Sequence, residues 1–450
     1  MKRVAVVGAG RVGLVTAACF ARLGNQVTCI ERNPWYLQSL QNGSVPFFEP
    51  HLCDIIRDAV ARGALSFSTS IDEGIRGASV IVLAIGTPQN GDGSLDVTDL
   101  LEAAEQIGRS LTSDVCVVSK STVPAGTSHR LVSIIRSAAR FAFRVVMVAN
   151  PEFLREGSAV EDFLKPDRIV VGVDDARDAD LMKELYGPLG APIVVTGIRA
   201  AELVKSVSNF YLALRVSFAN EVADLCEALQ IDVLDILQAV GMDARIGCAY
   251  LRPGPGFGGP CLPKDLRGLA QSAARVGVET PLIEATLRVN DLRIVRAISA
   301  LSQALGGLHG RSVAVLGLSF KPGTDDTRCS PSLRLIEALV REGATVRAHD
   351  PIALDGVPSS GTSSHVRSSS CVEEAVRGAD AVAIMTAWPE YKELSLAAMR
   401  AAMRGDLLFD GANLFAAADV IGSGLRYRGV GRVSSDLAEP RTRERADVSA

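Results

Sequence analysis

No apolar run in this 450-residue chain approaches the ~20 residues that a membrane span requires. Membrane association is therefore not expected. Charge of neither sign dominates: 47 Lys and Arg stand against 51 Asp and Glu, for a net charge of −4. That balance lacks the basic footprint of a nucleic-acid binder. The 9 cysteines (Cys19, Cys29, Cys53, Cys116, Cys226, Cys248, Cys261, Cys329, Cys371) are odd in number and scattered. No pair has metal-ligand spacing, so neither a metal site nor a disulfide framework is expected. Nothing ahead of the first apolar stretch reads as a leader. The expectation is a soluble protein of a reducing cytoplasm.

Apolar residues make up 48% of the chain, enough for a core in each of two to four domains. A small anionic ligand would have to be met by locally placed Arg, Lys and helix N-termini. The first such place is early. Residues 4–7 read as a buried strand running into Gly8-Ala9-Gly10-Arg11-Val12-Gly13, then a helical period, Gly24, and a second strand over 26–30 that ends at Glu31. In this setting the glycine pattern is a dinucleotide fingerprint. Gly8 makes the tight turn, Gly10 admits a pyrophosphate, and Gly13 packs helix on strand. Glu31 stands where a carboxylate takes both ribose hydroxyls and repels a 2′-phosphate, so NAD is expected over NADP.

Further strands are read at 80–85, 115–119, 145–148 and 169–173. Polar segments follow them: Gly86-Thr87-Pro88 after the first, KSTVPAGT from Lys120 after the second, and NPEFLREG from Asn150 after the third. Ligands of open parallel sheets bind just past such strand ends. From 200 to 229 the period turns helical, with Leu203, Val207, Phe210, Leu214, Phe218, Val222, Leu225 and Leu229 stepping by three and four. A helix this apolar packs on other helices or on a second subunit. Lys205 and Asn209 lie one turn apart on it and project together. Periodicity alone favours an exposed lysine beside an incidental asparagine. A second amphipathic helix runs through Leu282, Ile283, Leu287, Ile294 and Ile298.

Between these helices lies GFGGPCLPKD, from Gly256 to Asp265. Glycines let backbone approach a ligand, and a thiol beside a cation is a candidate nucleophile. On its own the loop also fits a small packed thiol. After 306–310, which read as a linker, strands at 313–316, 345–348, 381–385 and 407–409 describe a second Rossmann-like unit without the full fingerprint. It is expected to bind something other than NAD. Residues 439–450 lack any apolar period and are expected to be disordered.

The fingerprint, KSTVPAGT, NPEFLREG, GFGGPCLPKD and FKPGTDDTR (from Phe320) together resemble the UDP-glucose/GDP-mannose dehydrogenase family, in the family's order, from Lys2 to about Gly411. The resemblance implies an α/β chain with an N-terminal Rossmann-type doubly wound sheet (1–195), a central long-helix dimerisation domain carrying the cysteine loop (196–305), and a C-terminal Rossmann-like nucleotide-sugar domain (306–438). It implies NAD, a nucleotide-sugar substrate, a homodimer or higher homo-oligomer, and oxidation of a C6 alcohol to a carboxylate.

By the motif match, Cys261 is the nucleophile, Asp265 orients water, Lys205 and Asn209 stabilise oxyanions, and Thr122 and Glu152 hold water near C6. Gly8, Gly10, Arg11, Val12, Gly13, Glu31, Thr87, Thr122, Glu156 and Arg328 would contact the cofactor. Glu152, Phe153, Leu154, Lys205, Asn209, Arg245, Tyr250, Leu251, Gly256, Phe257, Gly258 and Lys321 would contact the substrate. None of the 5 histidines falls in a motif, so lysine, carboxylate and water are expected to carry protons.

Three positions depart from the pattern. Glu31 stands where Asp is commoner, Pro260 replaces the usual Ser before the cysteine, and Ala412 stands where many members carry Arg. UDP-glucose leads among substrates, with dTDP-glucose and GDP-mannose behind. A two-electron hydroxyacid-type dehydrogenase, and a silent binding protein, are the competing readings.

Overall fold

Residues 4–7 alternate sides, and that period of two explains why helices cover both faces of the first sheet. Val4 and Val6 point into one apolar core with Leu14, Phe20, Val80 and Val82. Ala5 and Val7 point into a second core with Ile81, Leu83, Leu100 and Ile135. The structure, a computed structural model, describes residues 1–356 and 365–433. The expectation for 439–450 lies outside these residues. They form two compact units: residues 1–211, 261–283 and 323–325 make the first, and the remainder make the second.

The first unit carries an eight-stranded sheet built from β1 (Arg3–Val7), β2 (Gln26–Ile30), β3 (Leu65–Ser68), β4 (Val80–Leu83), β5 (Val115–Ser119), β6 (Val145–Ala149), β7 (Ile169–Gly172) and β8 (Ile193–Thr196). Their spatial order is β3-β2-β1-β4-β5-β6-β7-β8. The order reverses between β1 and β4, which opens a crevice at the strands' carboxyl ends. The first six strands run parallel; β7 enters antiparallel to β6 and pairs in parallel with β8. β3 and β8 were not read from the sequence, because both are short and only partly buried.

The second unit repeats the plan with six parallel strands: β9 (Ser312–Leu316), β10 (Thr345–His349), β11 (Val366–Ser368), β12 (Ala381–Ile384), β13 (Leu407–Asp410) and β14 (Arg426–Gly429), ordered β11-β10-β9-β12-β13-β14. Its strands also alternate. Val313 and Val315 enter one core, while Ala314 and Leu316 enter the other. Asp350, just past β10, stands where Glu31 stands past β2. Its carboxylate is consumed internally, accepting from Leu318 N, Ser319 N, Ser319 Oγ, Ile352 N, Ala353 N and Trp388 Nε1 at 2.7–3.1 Å. With six donors accepted, this carboxylate is saturated by the protein itself.

The helix Ile198–Leu229 contributes its first half to one unit and its second half to the other. It contains neither Pro nor Gly, which accounts for its length. Gln230 ends it at φ 57, with Ile231 N donating back to Cys226 O.

Replacing Asp350 with Ala strands several buried donors at once. The expected loss is at least about 3 kcal/mol of unfolding free energy, read by urea titration. An unchanged midpoint would show the carboxylate to be dispensable.

Candidate active site

Gly8 lies at φ +99, and a Cβ there would meet Ala84 O at 2.6 Å. At Gly13 a Cβ would meet Gly8 O at 1.9 Å, so the Arg11–Arg22 helix can start against the strand only through glycine. Gly10 faces open space. A cavity of about 460 Å³ extends from Gly8, Ala9 and Gly10 past Glu31 and Arg32 to Ile85, Gly86 and Pro88. Glu31 is held rather than free: Oε2 accepts from Ala9 N at 3.2 Å and Oε1 from Asn33 N at 3.0 Å. A carboxylate has about four lone-pair positions, so both oxygens can still accept a hydroxyl. Turn, open approach and oriented acid together fit an adenine dinucleotide.

The other expected cofactor residues take distinct places. Val12 packs its side chain on the core. Thr87 donates to Thr122 O at 2.7 Å and so ties two strand ends together. Arg11 stacks over the Phe47 ring at 4.8 Å and pairs with Asp325 at 2.6 Å, while Glu156 lies 3.7 Å from its Nε. Arg328 belongs to the second unit, where its guanidinium pairs with Asp326.

Three segments of the first unit bring the expected catalytic groups together. The Ile198–Leu229 helix presents Lys205 and Asn209, both buried, so the exposed-lysine alternative is excluded. Lys205 Nζ lies 2.9 Å from Glu152 Oε1, with side-chain exposures of 7% and 8%. Asn209 Nδ2 donates to Asp265 Oδ2 at 2.6 Å, and Lys264 Nζ lies 2.9 Å from Asp265 Oδ1. Glu152 Oε2 accepts from Leu154 N at 2.6 Å, curling the turn past β6. Burial would lower the Lys205 pKa, but Glu152, Cys261 and Asp265 outweigh it and hold the ammonium above its ordinary value.

Cys261 caps the Leu262–Ala274 helix, and Asp265 N donates to its carbonyl at 2.8 Å. The residue reaches solvent. The packing around its sulfur nevertheless pushes the thiol up to about 12, with Glu152, Asp265 and Glu156 adding to the rise and Lys205 opposing it. The sulfur is a protonated thiol at neutral pH, set between a cation and carboxylates.

The remaining expected substrate residues divide between the units. Phe153, in the first, lies under the Arg168 guanidinium at 3.8 Å with Lys205 Nζ at 5.8 Å, and Leu154 packs on the core. In the second, Phe257 exchanges hydrogen bonds with Asn290 at 2.7 and 3.0 Å, and Gly254 N donates to Asn220 at 2.8 Å. Leu251 and Gly258 are buried, Gly256 sits at φ +104, and Tyr250 is exposed at φ 61. Gly259 lies at φ +79, where a Cβ would meet the Phe320 ring at 2.8 Å. Arg245 is exposed and paired with Asp243 at 2.6 Å, and Lys321 is half-buried beside Phe320.

Several contributors were missed by sequence reading. Glu202, one turn before Lys205, accepts from Gly126 N and Ser128 N at 2.5 and 2.7 Å, locking the catalytic helix to the KSTVPAGT segment. Glu49 accepts from Gly157 N and Ala159 N at 2.8 and 2.7 Å and holds the NPEFLREG segment. Lys120 is buried among neutral partners. An acid inside an apolar helical stripe and a lysine at the end of a buried strand were the available signs.

The chain is similar to known proteins along most of its length. Family models for UDP-glucose/GDP-mannose dehydrogenases match in three parts: the NAD binding domain at 2–190, the central domain at 199–292 and the UDP binding domain at 314–417. A UDP-glucose 6-dehydrogenase of Pseudomonas aeruginosa is 42% identical over 445 residues, covering 96% of this chain and 97% of that protein. The Bacillus subtilis UDP-glucose 6-dehydrogenase TuaD is 38% identical, covering 98% and 95%. Among solved structures, a UDP-glucose dehydrogenase from Pyrobaculum islandicum superposes with a TM-score of 0.89 at 38% identity, covering 96% of this chain and 98% of that one. A UDP-D-ManNAc dehydrogenase from Pyrococcus horikoshii gives 0.85 at 27% identity, covering 96% and 99%. The chain belongs to the UDP-glucose/GDP-mannose dehydrogenase family and is an NAD-dependent nucleotide-sugar dehydrogenase.

Proposed function

We propose that this enzyme oxidises the C6 alcohol of UDP-glucose to the carboxylate of UDP-glucuronate, a four-electron reaction that passes through a thiohemiacetal and a thioester on Cys261. The observation that carries this reading is the convergence of Cys261, Lys205, Glu152, Asn209 and Asp265 within one unit. A two-electron dehydrogenase has no use for the cysteine. The relatives' names supply the nucleotide sugar. In this reading residues 1–195 bind NAD, 196–305 carry the cysteine loop and the dimer contact, and 306–438 bind the nucleotide sugar.

The chemistry that bound NAD supplies is hydride acceptance at C6, once from the alcohol and once from the thiohemiacetal. Lys205 Nζ, kept protonated by Glu152, donates to the C6 oxygen as negative charge develops on it. Between the oxidations the Cys261 sulfur bonds to the aldehyde carbon. Its proton leaves toward the neighbouring carboxylates, and the carbonyl oxygen becomes the thiohemiacetal oxygen under Lys205 and Asn209. A thiol pushed up to about 12 keeps its proton until that carbon is present, which limits side reactions of a free thiolate. Asp265, oriented by Asn209, takes a proton from the water that attacks the thioester. The C–S bond breaks, the carboxylate leaves and the thiol regains its proton. Thr122 and Glu152 hold water beside C6. Phe153, Leu154 and Lys321 take the sugar side, and Tyr250, Leu251, Gly256, Phe257 and Gly258 wrap the nucleotide. Arg245, exposed and carrying a planar fork of five donors, suits a diphosphate, reached from the partner subunit.

The dimer contact is the Ile198–Leu229 helix, which leaves Leu203, Val207, Tyr211, Phe218, Leu225 and Leu229 between 41% and 58% exposed. Changing Phe218 and Leu225 to Asp together is expected to yield a monomer by light scattering; an undisturbed dimer would place the contact elsewhere.

A panel of UDP-, dTDP- and GDP-sugars, read by NADH formed per sugar, tests the reaction. Two NADH from UDP-glucose is the expected result, and one would sink the four-electron scheme. Cys261→Ser should cut acid formation by about 10²-fold or more while NAD still binds. Alkylation of Cys261 by iodoacetamide should keep accelerating beyond pH 10, because the thiolate forms only there. For the cofactor, Glu31→Ala is expected to raise the Kd for NAD about tenfold, roughly 1.4 kcal/mol, without a parallel rise for NADP. Equal loss for both cofactors would remove the ribose role.

A further inference from the structure

Lys120, at the end of β5, is a buried cation near this site that the mechanism above does not use. It is 5% exposed. Its Nζ donates to Asn150 Oδ1 at 3.1 Å and to Tyr186 OH at 3.2 Å, and Tyr186 OH in turn donates to Asn150 Oδ1 at 2.7 Å. The rings of Phe163 and Tyr186 lie 5.9 and 5.7 Å from the ammonium, within cation–π range. All these partners are neutral. A desolvated ammonium with no bonded carboxylate is costly, so its retention calls for a compensating charge nearby.

That charge is supplied through Asn150. Asn150 N donates to Ser119 O, and Asn150 Nδ2 donates to Val170 O at 2.8 Å, so the residue joins β5, β6 and β7. Glu152 follows two positions later and pairs with Lys205. Lys120 and Glu152 also share the wall of a cavity of about 40 Å³, room for a bridging water. The third ammonium N–H has a partner available there.

The charged and titratable groups facing Lys120 come from each packed element. Glu152 follows β6, and Lys205 lies on the Ile198–Leu229 helix. Tyr186 ends the Asp180–Tyr186 helix, with the neutral thiol of Cys19 behind it. Asp162 and Arg168 line the cavity, the first paired with Arg155 at 2.6 Å and the second stacked on Phe153.

We infer that Lys120 is a positioning residue for the oxidation. Its ammonium, gripped by Asn150 and Tyr186, fixes the turn that carries Glu152 and adds a second buried positive charge to the Glu152–Lys205 pair. The inference rests on the reading of that pair as reaction machinery, though not on the covalent role of Cys261. Burial pulls the Lys120 ammonium down to about 8, against the pull of Glu152 and with the help of Lys205. The charge is therefore present below about pH 8 and lost as pH rises through it, while the neutral amine can still make both hydrogen bonds. Geometry and charge thus separate.

The test is steady-state NADH formation against pH for wild type, Lys120→Met and Lys120→Arg, with whichever nucleotide sugar the panel selects. NAD affinity by fluorescence titration and the melting temperature serve as controls. Wild type should show an alkaline fall in kcat near pH 8. Lys120→Arg, whose charge persists, should move that fall upward by at least about one pH unit. Lys120→Met should lower kcat about tenfold or more, abolish the fall, and leave KM for NAD within about twofold. The inference is overturned if Lys120→Met keeps wild-type kcat. It is equally overturned if both variants lose activity with the fall unmoved, which a merely structural role would give. Should Lys120→Met not fold, the Lys120→Arg profile alone decides. Failure of the thioester scheme appears separately, in the NADH count and in Cys261→Ser.

Discussion

The ion pair between Lys205 and Glu152, at 2.9 Å with both side chains almost wholly out of water, joins the middle of a helix to a turn past a strand. Removing one partner of such a pair strands a charge in a poorly polar setting, which costs about 3–5 kcal/mol. The surrounding structure accordingly over-determines it. Glu202 locks the helix one turn earlier, Leu154 N fixes the other carboxylate oxygen, and Asn209 one turn later carries the orientation on to Asp265. A buried pair of this kind is a poor device for stability alone, since apolar residues of similar volume do as well. The pair holds the Lys205 ammonium above its ordinary pKa despite burial.

The state of the nearby cysteine is set first by burial, with the two members of this pair acting in opposite directions. A helix N-terminus and a nearby lysine lower a thiol pKa, whereas burial and carboxylates raise it. Here the second set wins, with the thiol pushed up to about 12. Pro260 removes one backbone donor just before the sulfur.

The parts of the fold and site that were legible in the sequence are those written in short-range pattern. The buried strands at β1, β4, β5 and β9 show as runs of Val, Ile, Leu and Ala, and the glycine turn shows because no other residue survives the 1.9 Å approach at Gly13. Lys205 and Asn209 show as a turn-spaced pair, but only the structure establishes that both face inward. The residues that were not legible act over long sequence separations. Glu49 reaches the backbone at Gly157 and Glu202 reaches Gly126, and neither target is visible from the acid's own neighbourhood. β3 and β8 escaped for a different reason: half-exposed four-residue strands carry too little apolar period to stand out.

Glu31 and Asp350 carry the argument one step further. Each follows the second strand of a sheet, and the two sheets share their order over six parallel strands, yet the two carboxylates differ in what they have already bound. Glu31 accepts two backbone N–H groups and keeps capacity for a ligand beside an open cavity, whereas Asp350 accepts six donors and is fully buried. A saturated acid ties the loop past β9 down and leaves nothing for a ribose to bind at that corner. Two sheets of one topology are thus made unequal by how many hydrogen bonds a single carboxylate has already formed.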